Sequence, residues 1–109
     1  MANEEHVVVL KQGTAVWRRW REENNGSQPD LTGASLAGVR LNRADLRGAD
    51  FRGASLTFAC FKSADLREAN FGGAALATLY ANLAGAHLTD ADLTGVDLTD
   101  VDLHASTVT

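Results

Sequence analysis

The 109-residue chain has the length of a single small domain, and its hydrophobic fraction of 45% is that of a globular protein. Its single cysteine, Cys60, excludes an intramolecular disulfide and a zinc site built from several cysteines. The formal charge of −4 is mild but uneven: residues 1–67 carry all ten Lys and Arg with eight acids, and residues 68–109 carry six acids and no Lys or Arg.

No apolar run approaches the roughly 18 residues of a membrane span. The first residues, MANEEH, lack the basic region of a secretory signal. The sequence therefore predicts a soluble cytoplasmic protein that makes no contact with a membrane.

The first 28 residues form a segment without repeats. Residues 4–13, EEHVVVLKQG, are ambiguous between a short helix and a strand, because three consecutive valines favour a strand. Residues 14–26, TAVWRRWREENNG, predict a helix with Thr14 as N-cap and a stop from Asn24 to Gly26. Its apolar side, Val16, Trp17 and Trp20, is predicted to cap one end of the domain that follows.

From residue 29 onward the sequence repeats every five residues, a period that fits neither a helix nor a strand. The central position of each unit, called i below, is always Leu or Phe. Position i−2 is Ala, Val or, once, Pro, and the remaining positions are mostly polar or Gly. The i residues, which are the predicted core, are Leu31, Leu36, Leu41, Leu46, Phe51, Leu56, Phe61, Leu66, Phe71, Leu76, Leu83, Leu88, Leu93, Leu98 and Leu103.

A chain that turns a corner at each unit satisfies this pattern, because four units then close a square coil of twenty residues. Successive coils stack at the strand spacing of about 4.8 Å. Gly at i+2 in seven units eases the corner where a positive φ is needed. Stacking predicts Phe51 between Leu31 and Phe71, and Phe61 between Leu41 and Leu83.

The units ADLRG at 44–48, ANLAG at 81–85 and ADLTG at 91–95 resemble the motif A(D/N)LxG of the pentapeptide-repeat family. The resemblance implies an all-β solenoid, a right-handed quadrilateral β-helix, here of nearly four coils with an N-terminal α-helical cap. The Trp-x-x-Trp-Arg segment is also similar to that of cyanobacterial-type members, whose leaders favour a helix over residues 4–13.

One interruption divides the repeat, since the step from Leu76 to Leu83 is seven residues instead of five. Looping out Leu79 and Tyr80 restores every later unit. These two residues form either a tolerated corner insertion or a partner-binding projection. The predicted organisation is a cap over 1–28, a β-helix over 29–105 with the insertion near 79–80, and a tail over 106–109.

The chain shows no arrangement that predicts catalysis, a cofactor or a metal. His6, His87 and His104 lie in different contexts and are expected to be solvated surface residues. Columns of i−1 residues, Asp30, Asp50, Asn70 and Asp92 on one side and Asp45 and Asp65 on another, are expected to cap turns, with a metal ladder as the alternative. We therefore predict no catalytic, cofactor-binding or metal-binding residues and no enzyme activity.

Surface residues provide the candidate interaction sites. Arg47 and Arg67 are expected to stack beside Asp45 and Asp65, either paired with these acids or free to bind an anion. A further basic cluster on the adjacent side consists of Arg40, Arg43 and Lys62. Phe58 at an i+2 position is either a contact residue or a ring lying flat on the wall.

The sequence thus favours a non-enzymatic interaction or structural scaffold with an unknown protein partner. The alternatives are a DNA mimic that binds a type II topoisomerase such as gyrase, as some family members do, and a nucleic-acid-binding module, against which the acidic isoelectric point of 5.2 argues. Weak homodimerisation through the C-terminal coil is a further expectation, because a last coil exposes apolar side chains and unpaired backbone groups.

Overall fold

The computed structural model describes residues 2–74, 81–96 and 102–107. Two helices, α1 over Glu4–Leu10 and α2 over Thr14–Glu23, precede a stack of coils joined by single-residue parallel β-bridges. Neither helix is long and apolar enough to cross a membrane within the described part of the chain. The predicted core residues Leu76 and Leu98 and the predicted insertion Leu79 and Tyr80 lie outside the described residues.

Helix α1 occupies the segment that the sequence left ambiguous. The side chain of Asn3 caps it, because its Oδ1 accepts hydrogen bonds from the backbone N–H groups of Glu5 at 2.9 Å and His6 at 3.4 Å. Such a cap satisfies two otherwise free donors of the first turn. This local stabilisation, together with the coil beneath, outweighs the strand preference of the three valines.

Helix α2 differs from its prediction at the N-terminal end, whereas its predicted stop at Asn24 is confirmed. Its N-cap is Gly13, with no side-chain capping bond, and Thr14 is the first helical residue. The hydroxyl of Thr14 donates instead to the carbonyl of Asn42 in the first coil, at 3.0 Å. The helix ends at Glu23, and the side-chain amide of Asn24 donates to the carbonyl of Trp20 at 2.9 Å.

The inward side of α2 also differs from the predicted set. Trp17 and Trp20 are buried and stacked with ring centroids 5.0 Å apart, but Val16 is 39% exposed. The third inward position is taken by Arg21, whose side chain is 12% exposed. Arg21 lies four residues after Trp17 and so falls on the same side of the helix.

Each five-residue unit ends in a turn that is closed by a backbone hydrogen bond from residue i+3 to residue i. The N–H of Ala54, for example, donates to the carbonyl of Phe51 at 3.0 Å. The residue at i+2 has a positive φ in every described unit, as a type II turn requires. Seven of these residues are Gly; the others are Arg43, Phe58, Ser63, Glu68, Asp90 and Ala105.

Parallel bridges between i−1 residues set the register of the stack. Asp30 pairs with Asp50, and Asp50 pairs with Asn70, so that successive partners are twenty residues apart. Across residues 75–80 the separation becomes 22, as between Asn70 and Asp92, and it returns to twenty between Asn82 and Asp102. The interval therefore contains two residues more than the twenty-residue repeat, and the register of the coils on either side of it is the same.

The core is a column of i residues surrounded by the small residues at i−2. From Leu31 to Phe71 all described i residues are buried, as are Leu83 and Leu88, whereas Leu93 and Leu103 are partly buried. The rings of Phe51 and Phe71 stack with centroids 4.9 Å apart and planes at 7°. Phe61, from another side of the square, meets both rings edge-on at 5.7 and 6.1 Å. Such edge-to-face pairs add to the stabilisation from burial.

We predict that Phe51→Ala lowers the free energy of unfolding by about 3–5 kcal/mol, because it leaves a cavity between two aromatic partners. Arg52→Ala, which alters the next residue on the outer surface and removes its exposed ion pair with Asp50, should lower the denaturation midpoint far less than Phe51→Ala does. Urea denaturation of both variants, followed by circular dichroism, measures the difference. Equal midpoints would contradict the inward position of Phe51.

Candidate interaction surface

The columns of Asp and Asn at position i−1 close the corners of the coil. In each case the side-chain Oδ1 accepts a hydrogen bond from the backbone N–H of residue i+1, as from Arg52 to Asp50 at 3.0 Å and from Ala84 to Asn82 at 2.8 Å. This is the Asx-turn pattern. Within the ranges that the structure describes, no three His, Cys, Asp or Glu side chains converge as metal ligands.

Three of these acids also bind an arginine two residues later in the chain. Arg47 donates to both carboxylate oxygens of Asp45, at 2.8 Å each, and Arg67 contacts Asp65 in the same way at 2.8 and 2.6 Å. The third such pair joins Arg52 and Asp50. Arg47 and Arg67, two of the predicted interaction residues, are therefore held in two-pronged ion pairs.

These pairs change the acidity of their members. The hydrogen bond from the Arg47 guanidinium is the main cause that lowers the pKa of Asp45, and burial of the carboxylate opposes it. Arg67 lowers the pKa of Asp65 in the same way, and Arg52 lowers that of Asp50. The pKa values of the partner arginines are raised in return.

Arg21 connects helix α2 to this ladder of charges. Its Nη2 donates to the carbonyl of Arg47 at 2.9 Å and lies 3.6 Å from a carboxylate oxygen of Asp45. Burial lowers its pKa, and the charge of Asp45 opposes that effect. The sequence analysis did not include Arg21 among the inward residues of α2; its spacing of four residues from Trp17 is the signal that could have found it.

His6 also has a structural position that the sequence did not predict. Its Nδ1 accepts a hydrogen bond from the backbone N–H of Asp30 at 2.9 Å, and its ring packs edge-on against Trp20 at 4.8 Å. His6 is half-buried rather than a solvated surface residue. His87, which bridges Asp65, is half-buried as well, whereas His104 is exposed.

A second group of basic residues, Arg40, Arg43 and Lys62, is named the basic corner here. All three side chains are exposed, and none makes an ion pair with another described residue. The backbone N–H of Arg43 donates to the carbonyl of Lys62 at 2.9 Å, so that the two residues lie on adjacent coils. Arg43 and Lys62 line a surface cleft together with Asn42 and Ser63.

The other predicted contact residue, Phe58, lies at the opposite end of the same side of the square. Its side chain is 63% exposed and its φ is +55°, an uncommon conformation for an aromatic residue. Between Phe58 and Lys62, the half-buried Cys60 forms a bridge with Arg40. One side of the solenoid thus carries an exposed ring at one corner and the basic corner at the other.

Comparison with known proteins identifies the family. Eight copies of the family described as Pentapeptide repeats match residues 30–67 and 80–108, more than half of the chain. The chain belongs to the pentapeptide repeat family, whose members form right-handed quadrilateral β-helices. A search of curated proteins finds no significant match.

Several solved structures of pentapeptide repeat proteins are similar to this chain. One, from the thylakoid lumen of Arabidopsis thaliana, is 30% identical with a TM-score of 0.54, over 72% of this chain and 50% of that one. HetL from Nostoc, described as involved in heterocyst differentiation regulation, is 36% identical with a TM-score of 0.39, over 68% of this chain and 38% of that one. Rfr23 from Cyanothece is 27% identical with a TM-score of 0.31, over 78% and 64%. The chain thus spans half or less of the length of the first two proteins.

The ion pairs predict a loss of stability in acid. A carboxylate whose pKa is lowered by folding stabilises the fold above its unfolded pKa of about 4, and this contribution disappears as the pH falls through the folded value. We expect the free energy of unfolding to decrease between pH 5 and pH 2 by less in Asp45→Asn than in the unmodified chain. Asn keeps the turn acceptor but not the charge.

The control for this experiment is Asp90→Asn, which changes an exposed carboxylate with no described ion pair. Urea denaturation at a series of pH values measures each variant. Identical acid dependence in Asp45→Asn and the unmodified chain would contradict a role for the Asp45 pair in stability.

Proposed function

We propose that the chain is a non-enzymatic protein-interaction module that presents the basic corner to an acidic surface of a partner protein. The observation that carries this proposal is the selective absence of ion pairing among the basic residues of the described repeat units. Arg47, Arg52 and Arg67 are each neutralised by an acid of their own unit, while Arg40, Arg43 and Lys62 are not. Their charge is therefore available to a partner.

The solenoid supports such a role because it holds these charges in a defined arrangement. The backbone of Arg43 is fixed by its bond to Lys62, and the carbonyl of Asn42 is fixed by Thr14 of α2. A preorganised charged surface loses little backbone freedom on binding, and complementary charges raise the association rate. No covalent chemistry is required of any side chain in this proposal.

The charge distribution argues against the two alternatives raised by the sequence. Mimicry of DNA requires an uninterrupted acidic surface, whereas Asp45, Asp50 and Asp65 are each covered by an arginine. Binding of nucleic acid depends on neutralising many phosphates, and the net charge of −4 opposes it. Three basic side chains on one corner are better suited to a local acidic surface.

We further propose that the repeat forms nearly four coils and that α1 and α2 cap the first of them. The backbone N–H of Asn3 donates to the carbonyl of Asp30 at 2.9 Å, and Nε1 of Trp17 donates to the carbonyl of Asp45 at 2.7 Å. Both carbonyls lie on the outer edge of the first coil, where a preceding coil would otherwise supply the donors. A cap of this kind protects an edge that could pair with another chain.

Self-association through the C-terminal coil and a cytoplasmic location stay predictions from the sequence. Leu98, one of the apolar residues on which the first depends, lies outside the described residues.

To test the cap, we compare Trp17→Phe with Trp20→Phe. Both changes keep an aromatic ring, but only the first removes a hydrogen bond that the structure describes. We expect Trp17→Phe to lower the free energy of unfolding by about 1–3 kcal/mol, because the carbonyl of Asp45 loses its partner, and Trp20→Phe to have a smaller effect. Thermal denaturation measures both.

Replacement of both tryptophans by Ala should also expose the apolar surface of the first coil to a hydrophobic dye. Unchanged melting and no additional dye binding in that double variant would show that the helices are an appendage rather than a cap.

To test the interaction surface, we propose the double variant Arg43→Glu/Lys62→Glu, with poly-L-glutamate as the acidic probe. Glu68 already occupies a left-handed position like that of Arg43, so the fold tolerates Glu there. We expect at least a tenfold loss of affinity, because like charges then face each other. Fluorescence anisotropy at several salt concentrations measures the binding.

The control, Arg18→Glu/Arg19→Glu, makes the same change of charge on the exposed side of α2. It should lose much less affinity than the corner variant. Equal losses would show that only net charge matters, and tighter binding of the unmodified chain to duplex DNA than to poly-L-glutamate would favour the nucleic-acid alternative.

A further inference from the structure

The ladder of backbone hydrogen bonds determines which groups a first coil leaves free. Where two coils stack, the N–H at i−1 donates to the preceding coil, as from Cys60 to the carbonyl of Val39 at 2.9 Å. The carbonyls at i−1 and i+1 accept from the preceding coil, as those of Cys60 and Lys62 do from Leu41 and Arg43 at 2.8 and 2.9 Å. In the first coil these three kinds of group point toward the N-terminal end, where no coil precedes them.

Residues of the N-terminal segment form hydrogen bonds with such groups along part of this edge. At Asp30, the N–H donates to His6 and the carbonyl accepts from the N–H of Asn3. At the far corner, side chains from α2 donate to first-coil carbonyls: Thr14 to Asn42, Trp17 to Asp45 and Arg21 to Arg47.

Residues 35–40, named the open edge here, receive no such partner. The N–H and carbonyl of Ser35, the carbonyl of Ala37, and the N–H and carbonyl of Arg40 have no hydrogen-bond partner among the described residues. An open cavity at this edge is lined by residues 10–13 of the N-terminal segment and by residues 35–40. Leu10 and Leu36 are buried, so the accessible apolar side chains are the exposed Ala37 and the half-buried Val39. Donors and acceptors thus lie beside a small apolar surface.

We propose that the open edge binds a short acidic segment of the partner protein, which follows the corner at residues 36–39 and continues the coil-to-coil ladder in parallel. This inference rests on the proposed function, since Arg40 belongs to both the open edge and the basic corner. Carbonyls of the segment would accept from Ser35 and Arg40, and its N–H groups would donate to the carbonyls of Ser35, Ala37 and Arg40. Main-chain pairing of this type supplies affinity, and side-chain pockets supply selectivity.

Charge determines the class of segment. Lys11 and Arg40 both line the cavity, both are exposed and without an ion pair to a described residue, and no acid lines the cavity. The open edge turns one corner, which the hydrogen bond from Val39 to Leu36 closes, so a segment of equal length must turn with it. A segment that combines carboxylates with small residues at the corner fits this surface, and its continuation beyond Arg40 approaches Arg43.

The test uses Ser35→Pro in the full chain. Proline removes the N–H that a bound strand would need, yet the fold loses no hydrogen bond, since that N–H has no described partner. Ser35→Ala is the matched control. The probe is the blocked peptide Ac-EAVGAE-NH2, whose glycine stands opposite Gly38 at the corner, and a second peptide carries N-methyl groups on alternate residues to block its own donors.

We expect the unmodified chain and Ser35→Ala to bind the probe equally, and Ser35→Pro to bind it at least tenfold more weakly by fluorescence anisotropy. The N-methylated peptide should not bind. In amide hydrogen exchange by NMR, the probe should slow exchange at Ser35 and Arg40. This readout and the N-methylated peptide keep the test decisive if Ser35→Pro fails to fold.

The outcomes separate the two proposals. Equal binding of both peptides, or no slowing of exchange at Ser35 and Arg40 with the probe in millimolar excess, would overturn the open-edge proposal. If in addition Arg43→Glu/Lys62→Glu still loses affinity for poly-L-glutamate, the proposed function stands without it. If the probe slows exchange at Ser35 and Arg40 but Arg43→Glu/Lys62→Glu binds poly-L-glutamate as tightly as the unmodified chain, the open-edge proposal is supported. The proposal that the basic corner binds the partner is then overturned.

Discussion

The turn at every fifth residue is the constraint on which the rest of this structure depends. A hydrogen bond from residue i+3 to residue i closes it, and a left-handed residue at i+2 makes it possible. Because the left-handed conformation is strained for most L-amino acids, Gly occupies position i+2 in seven of the described units. Once the corner is fixed, every Leu or Phe must point inward and every i−1 residue must join the coil-to-coil ladder.

This constraint explains why the sequence predicts the repeat so well. The five-residue period identified the i residues, and register arithmetic placed Phe51 next to Phe71 and predicted the two-residue offset before Leu83. It did not show that Phe61 would meet both rings, because that contact crosses the square and depends on side-chain length rather than period. The period determines the backbone register, but it does not determine the side-chain rotamers.

The N-terminal segment was less predictable for a related reason. Thr14, Val16 and His6 differ from their predicted roles, and Arg21 has a role that was not predicted. Thr14, Arg21 and His6 form hydrogen bonds with backbone groups of the first coil. Helix propensity and amphipathic pattern describe an isolated helix, whereas the surface beneath α1 and α2 is a row of polar donors and acceptors. Polar side chains therefore face the first coil. Val16, which cannot donate a hydrogen bond to a carbonyl, faces solvent.

The position of a residue within its unit also determines whether its charge is available. An arginine at i+1 reaches the carboxylate at i−1 of its own unit, as Arg47 reaches Asp45, and it is neutralised there. Lys62 has the same position but follows Cys60, Arg43 stands at i+2, and Arg40 itself occupies i−1. The sequence alone contains this distinction, since it requires only the repeat frame and the identity of the residue two places earlier.

The open edge and the basic corner meet at Arg40, and this coincidence has a structural origin. Side chains of helix α2 donate hydrogen bonds to the carbonyls of Asn42, Asp45 and Arg47 in the first coil. The loop between α1 and α2 crosses the other side and contributes no described hydrogen bond to Ser35–Arg40. A helical hairpin cannot satisfy all four sides of a square, because each helix covers a line and the loop between them, although it lies near residues 35–40, makes no described hydrogen bond with them. Backbone groups therefore stay open at the side where the repeat also leaves its basic residues unpaired, and one partner segment could satisfy both.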